Sequence, residues 1–208
     1  MEAMEKVNSV LCLGDSITYG YPYGPDYSWV GLVAKNTGMV MYNHGLNGDT
    51  TGGMLTRFIK CIRSGSCSDN LRPNAVVITG GANDAWLGCG VLEVRHNISA
   101  MVDIALTQGI IPLLGITVPL NFEAAEHFIS YSDAARVSKV LESYKSWMRD
   151  FAKGKDIKLV DFHACLGDPE SNLGLGMYYA DNAHPNQEGY RVMAKTAADA
   201  LAGLGKKA

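Results

Sequence analysis

No stretch of this chain reaches the roughly 20 consecutive apolar residues that a membrane-spanning helix needs, so no membrane span is expected. Charge is scarce: charged side chains make up 19% of the 208 residues, and the net charge is -3. Without a basic excess there is no electrostatic footprint for nucleic acid or an anionic membrane surface, so neither is an expected partner. Cysteine is sparse and odd in number, at Cys12, Cys61, Cys67, Cys89 and Cys165, with no repeated C-x-x-C spacing. That argues against both a disulfide framework and a zinc cluster. Cys61 and Cys67 are near enough for a loop bridge, but reduced thiols are the expectation. The start, Met1-Glu2-Ala3-Met4-Glu5-Lys6, lacks the apolar segment of a signal peptide, and a cytoplasmic location is expected from it. Repeats, low-complexity tracts and linkers are missing too, which leaves one domain spanning residues 1–208.

What the chain does contain is an apolar fraction of 47%, enough for a well-buried core. Five short runs read as strands: Asn8–Leu13, Met39–Asn43, Ala75–Thr79, Ile110–Ile116 and Ile157–Asp161. They are nearly continuously apolar, the pattern of strands covered on both faces. Amphipathic helical patterns lie between them. Leu55, Phe58, Ile59 and Ile62 mark one face at i, i+3, i+4, i+7 spacing. Val137, Leu141, Tyr144 and Met148 mark another, and Tyr190, Met193, Ala194, Ala197 and Leu201 a third. Strict alternation of strand and helix predicts a three-layer α/β/α fold, flavodoxin-like, with a five-stranded parallel sheet in the order 2-1-3-4-5.

In such folds chemistry gathers beyond the carboxyl ends of the strands. Four polar clusters fall there: Gly14-Asp15-Ser16 after the first strand, Asn43 to Thr51 after the second, Gly80 to Asp84 after the third, and Asp181 to Asn186 before the last helix. Acyl transfer needs a nucleophile, a base, a group that orients the base and donors for the oxyanion. Ser16 is the candidate nucleophile and His184 the base. Asp181, three residues before it, can face the same way on one turn. Gly48 permits close backbone approach and can offer its N–H, and the Asn83 amide and Ser16 N–H are further donors. Each cluster also has an ordinary structural use, because Asp, Asn, Ser and Gly cap helices and make turns. His44 is the rival base, since its loop approaches the same crevice. His96 is expected to face solvent, His163 to be structural, and His127 to lie in a variable loop.

Taken together the four blocks resemble the SGNH hydrolases, also called GDSL esterases and lipases. Gly14-Asp15-Ser16-Ile17-Thr18 looks like that family's first block, Gly48 its second-block glycine, Gly81-Ala82-Asn83-Asp84 its third block, and Asp181-x-x-His184-Pro185 its last. The resemblance implies a Ser16–His184–Asp181 triad, an oxyanion hole of Ser16, Gly48 and Asn83, and no metal or organic cofactor. It implies a small-molecule ester as substrate, with short acyl or acetyl esters favoured by the mixed polarity of two candidate walls, Val118–Ser132 and Leu166–Tyr179. A lysophospholipase or thioesterase is the alternative within the family. Asp15, Asn121, Phe122 and Tyr179 are the candidate substrate-binding residues. A nucleotide- or flavin-binding module is the competitor from another class, but the Gly14–Gly20 loop lacks the G-K-[ST] ending of a phosphate cradle. The nucleophile also does not sit in a G-x-S-x-G elbow.

Overall fold

The computed structural model describes residues 7–64, 73–124, 128, 130–202 and 204. In chain order these form β1 (Ser9–Gly14), α1 (Ser16–Tyr19), α2 (Trp29–Thr37), β2 (Val40–Gly45), α3 (Thr51–Ser64), β3 (Ala75–Thr79), α4 (Ala82–Leu87) and α5 (Val91–Thr107). Then come β4 (Ile111–Ile116), α6 (Tyr131–Lys155), β5 (Lys158–Asp161), α7 (Phe162–Leu166) and α8 (Gln187–Ala202). The sheet is parallel throughout, in the order β2-β1-β3-β4-β5. All five expected strands are present, with ends shifted by up to two residues.

The two-residue period of a strand divides the core into two. Leu11, Leu13, Val76, Ile78 and Leu114 point to one face and pack with Met54 and Phe58 of α3, Ile98 and Met101 of α5, and Tyr144 and Met148 of α6. Val10, Cys12, Ala75, Val77 and Leu113 point to the other and meet Trp29 of α2, Phe162 of α7, and Tyr190 and Met193 of α8. Burying a side chain of the size of Leu or Phe is worth about 1.5–3 kcal/mol, so both stripes hold their helices to the sheet. Ser28 caps α2, accepting a hydrogen bond from the Gly31 N–H at 3.1 Å. Gly109 follows α5 at φ +69°, in the left-handed region that favours glycine after a helix.

Register sets the site. Gly14 at the end of β1 lies level with Gly45 of β2 and Thr79 of β3, so three loops leave the sheet side by side. No helix among the described residues is long and apolar enough to cross a membrane. One expectation is corrected here: Cys61 is disulfide-bonded, while Cys12, Cys89 and Cys165 are free. Cys67, His127 and the Met1–Lys6 segment lie outside the described residues.

Candidate active site

Ser16 is the first residue of α1, so the candidate nucleophile stands on an abrupt strand-to-helix turn instead of a plain loop. Asp15 caps that turn, its Oδ1 accepting a hydrogen bond from the Ile17 N–H at 3.0 Å. Gly20 closes it in the left-handed conformation, where a side chain would strain the backbone. Gly45 is required by close approach: a Cβ there would run into the backbone of Thr18 and Tyr19. The turn therefore lies flat against the end of β2.

The Ser16 hydroxyl lies 3.2 Å from His184 Nε2. On the far side of the ring, His184 Nδ1 is 2.9 Å from Asp181 Oδ2. With the carboxylate accepting from Nδ1–H, Nε2 is left as the acceptor for the serine proton. Asp181 Oδ1 also accepts from the Ala183 and His184 N–H groups, both at 2.7 Å. Burial pushes the Asp181 carboxyl up, but the hydrogen bond and charge of His184 and those two N–H groups outweigh it, and the net shift is downward. Tyr21 and Phe128 flank the imidazole, each with its ring centroid 4.6 Å away. His44 lies in β2 beside Leu13, and His163 is buried in α7, 3.2 Å from Glu142.

Asn83, at the start of α4, lines the same cleft as Ser16 and His184. One of its amide hydrogens goes to the Asp49 carbonyl at 2.8 Å, which ties it to the loop of Gly48. That loop is a tight turn in which the Asp49 N–H donates to the Leu46 carbonyl and Gly48 adopts φ +76°. Arg57 of α3, which sequence reading did not single out, reaches all of this. Its Nε and Nη2 donate to Asp49 Oδ2 at 2.9 and 2.6 Å, Nη1 to the His44 carbonyl at 2.9 Å, and Nη2 to the Gly14 carbonyl at 3.1 Å. In the sequence it is one polar position on an amphipathic helix, and only its contacts set it apart.

The cleft beside Ser16 encloses about 470 Å³, its open mouth included. Ser16, Asn83 and His184 line it as expected, and Val118, Leu120 and Phe128 line it from the first expected wall, but part of the apolar lining differs from expectation. Trp86 of α4 and Val137 and Leu141 of α6 supply it, and none of it comes from Leu166–Tyr179. The latter segment braces the first wall from behind: the Tyr179 hydroxyl donates to the Pro119 carbonyl at 2.5 Å, and the Gly174 N–H to the Leu120 carbonyl. Of the four candidate substrate-binding residues, Asp15, Asn121 and Tyr179 are buried and Phe122 packs against the core; none lines the cleft. Among the described residues Asp15 Oδ2 has no hydrogen-bond partner, and burial pushes this carboxyl up to about 6.

Asn182, inside the Asp181–His184 turn, is itself buried. Its side-chain oxygen accepts from the Phe128 N–H at 2.8 Å and its carbonyl from the Asn121 N–H at 3.1 Å. Two points of the cleft wall, Asn121 and Phe128, are thus fastened to the turn that carries His184.

The chain resembles known proteins over most of its length. Among curated proteins it is 29% identical over 126 residues to an arylesterase of Vibrio mimicus, covering 58% of this chain and 60% of that one. It is likewise 29% identical over 120 residues to esterase TesA of Pseudomonas aeruginosa, covering 55% of this chain and 57% of the relative. The chain thus spans somewhat under two thirds of the curated relatives it matches. Among solved structures, a GDSL-like lipase of Bacteroides thetaiotaomicron is 25% identical with a TM-score of 0.73, covering 94% of this chain and 88% of that chain. A member of the lipolytic protein G-D-S-L family from Veillonella parvula shares the fold at 23% identity and TM-score 0.77, covering 94% and 98%. The description of the GDSL-like Lipase/Acylhydrolase family matches residues 12–192. With that match over most of its length and the fold of its structural neighbours, the chain belongs to the GDSL-like lipase/acylhydrolase family.

Proposed function

We propose that this chain, residues 1–208 acting as one domain, is a serine esterase that hydrolyses carboxylic esters through an acyl-enzyme on Ser16. The observation that carries the reading is the relay from Ser16 Oγ to His184 Nε2 at 3.2 Å and from Nδ1 to Asp181 at 2.9 Å. Ser16 Oγ attacks the ester carbonyl while His184 takes its proton. The oxyanion of the tetrahedral intermediate is held by the Ser16 and Gly48 N–H groups and the remaining Asn83 amide hydrogen. Collapse expels the alcohol, which His184 protonates. Water, deprotonated by the same imidazole, then releases the acid and restores Ser16. No step calls on a metal or organic cofactor, and activity is expected to survive EDTA.

A fluorophosphonate should add one adduct, on the peptide carrying Gly14–Gly20. Labelling that persists in Ser16→Ala would overturn the assignment. Short acyl or acetyl esters are the proposed substrates. A second reading, a lysophospholipase or thioesterase acting on longer chains, is favoured by the apolar lining from Trp86, Leu120, Val137 and Leu141. An ester series from acetyl to dodecanoyl separates the two: kcat/KM peaking by butyryl supports the first, and kcat/KM still rising at dodecanoyl supports the second. Cytoplasmic location, expected from the sequence, sits poorly with the disulfide at Cys61, because such bonds persist in oxidising compartments. Thiol titration of the denatured, unreduced protein distinguishes five free cysteines from three.

A further inference from the structure

Arg57 is a larger investment than a surface ion pair. Its side chain is 27% exposed and its partner Asp49 only 9%, and the guanidinium makes four hydrogen bonds within one residue shell. Each goes to a segment that ends in a proposed oxyanion donor. Gly14, whose carbonyl it holds, is two residues before Ser16. The Gly14 carbonyl also accepts the Leu46 N–H, and so anchors the first residue of the turn that contains Gly48. The Asp49 carboxylate, gripped by Nε and Nη2, anchors the last residue of that turn. The Asp49 carbonyl in turn accepts the Asn83 amide, which fixes the direction of the side chain's other N–H. A planar guanidinium with five donors in a rigid fork suits this task, and a lysine with a single ammonium does not.

We propose that Arg57 is a positioning residue for the oxyanion hole, setting the Gly48 turn and the Asn83 amide against the Ser16 turn. The inference rests on the esterase reading of Ser16, Gly48 and Asn83 given above. Arg57 touches no reacting atom, so its effect must pass through those donors. Donors displaced from where negative charge develops lose their advantage in the transition state and leave ground-state binding nearly untouched.

The test is a double-mutant cycle of Arg57→Lys and Asn83→Ala, read as kcat and KM on an acetyl aryl ester. Arg57→Lys should lower kcat by about 10- to 100-fold with KM within a few-fold, since one donor is worth about 10²–10³ in kcat. The double variant should fall well short of the product of the two single losses, because one of the donors that Arg57 places is already missing in Asn83→Ala. Multiplying losses, a change confined to KM, or a wild-type kcat in Arg57→Lys would each overturn the proposal. Should Arg57→Lys not fold because Asp49 is left with a poor partner, the pair Arg57→Met with Asp49→Asn removes both charges and takes its place in the cycle. Stoichiometric labelling of Ser16 by fluorophosphonate reports that each variant is folded. If wild-type protein does not label, the esterase reading falls; if it labels and only the Arg57 arm fails, this inference alone falls.

Discussion

The Ser16 turn and the His184 turn meet where the hydroxyl lies 3.2 Å from the imidazole, yet they are held by different means. The Ser16 turn is held by contact. Gly45 lets backbone lie on backbone, Gly14 admits the Thr18 side chain, the Gly14 carbonyl is tied down twice, and Ile17 and Thr18 are buried. The His184 turn is held by polar groups: Asp181 accepts from two N–H groups and the imidazole, and the Ala180 N–H donates to the His184 carbonyl. Their acids differ accordingly. Asp15 is wholly buried with one oxygen unpartnered and is pushed up to about 6, while the many donors around Asp181 hold it below its ordinary value. Packing chiefly fixes where the Ser16 hydroxyl sits, and hydrogen bonding fixes which way the His184 imidazole points.

The comparison breaks most severely at the reacting groups. Ser16→Ala and His184→Ala should each lower kcat/KM by about 10⁴-fold or more, measured on a p-nitrophenyl ester. Asp181→Asn should approach that loss with the fold intact, because an amide still accepts from Ala183 and His184 but offers the wrong group to Nδ1. Next comes Asn83→Ala, expected to cost about 10²–10³ in kcat with KM within a few-fold; a loss in KM alone would make Asn83 a substrate ligand. Gly45→Ala attacks the packed turn without touching chemistry. It should destabilise the fold by about 1–3 kcal/mol and lower kcat by up to about 10²-fold through displacement of Ser16; thermal melting and kcat check both.

Asp15→Asn gives the smallest effect and sharpens the contrast in acids. A carboxyl raised in the folded state holds its proton more tightly there, so stability falls as pH rises from 3.8 to about 6. Above that window the penalty is complete, amounting to at most about 3 kcal/mol from the size of the shift. Asp15→Asn removes it, so the variant should gain stability relative to wild type between pH 4 and pH 7 in urea unfolding. The lowered Asp181 has the opposite sign: it stabilises above its unfolded value and loses that contribution as pH falls through its folded one. A pH-independent difference for Asp15→Asn would place its ionisation outside the 4–7 range.

Much of this was legible in the residues because burial on both faces leaves a plain record. Leu11-Cys12-Leu13 and Val76-Val77-Ile78 can only be central strands, and the polar clusters had to follow them. The short helices α4 and α7 left no such record, since five or six residues cannot display a helical period. Val137 and Leu141 look like any core stripe, and nothing in their spacing says that they line a cleft. Tyr179, chosen for its aromatic ring in a glycine-rich loop, is a brace whose hydroxyl is spent on a carbonyl 60 residues away. Long-range polar pairs are equally silent: Asp84 accepts from the Thr51 N–H and hydroxyl across 33 residues, and Lys145 lies buried 3.4 Å from His163. The bond at Cys61 was weighed against the usual state of sparse cysteines and went the other way.

The clamp at Asn182 has a consequence for how such a protein can change. Asn121 and Phe128 meet the His184 turn through the Asn182 carbonyl and side-chain oxygen, and the Phe128 ring also lies against the His184 imidazole. Arg57 and the Ser16 turn share none of those hydrogen bonds. Replacements within the wall that keep the Phe128 ring against His184 can therefore be sampled, by natural drift or in a directed library, without redrawing the candidate reaction frame. The two fastening points amount to a socket. A lineage keeping Asn182 and the frame could trade one wall for another, and so exchange one class of ester for a different one in few mutational steps.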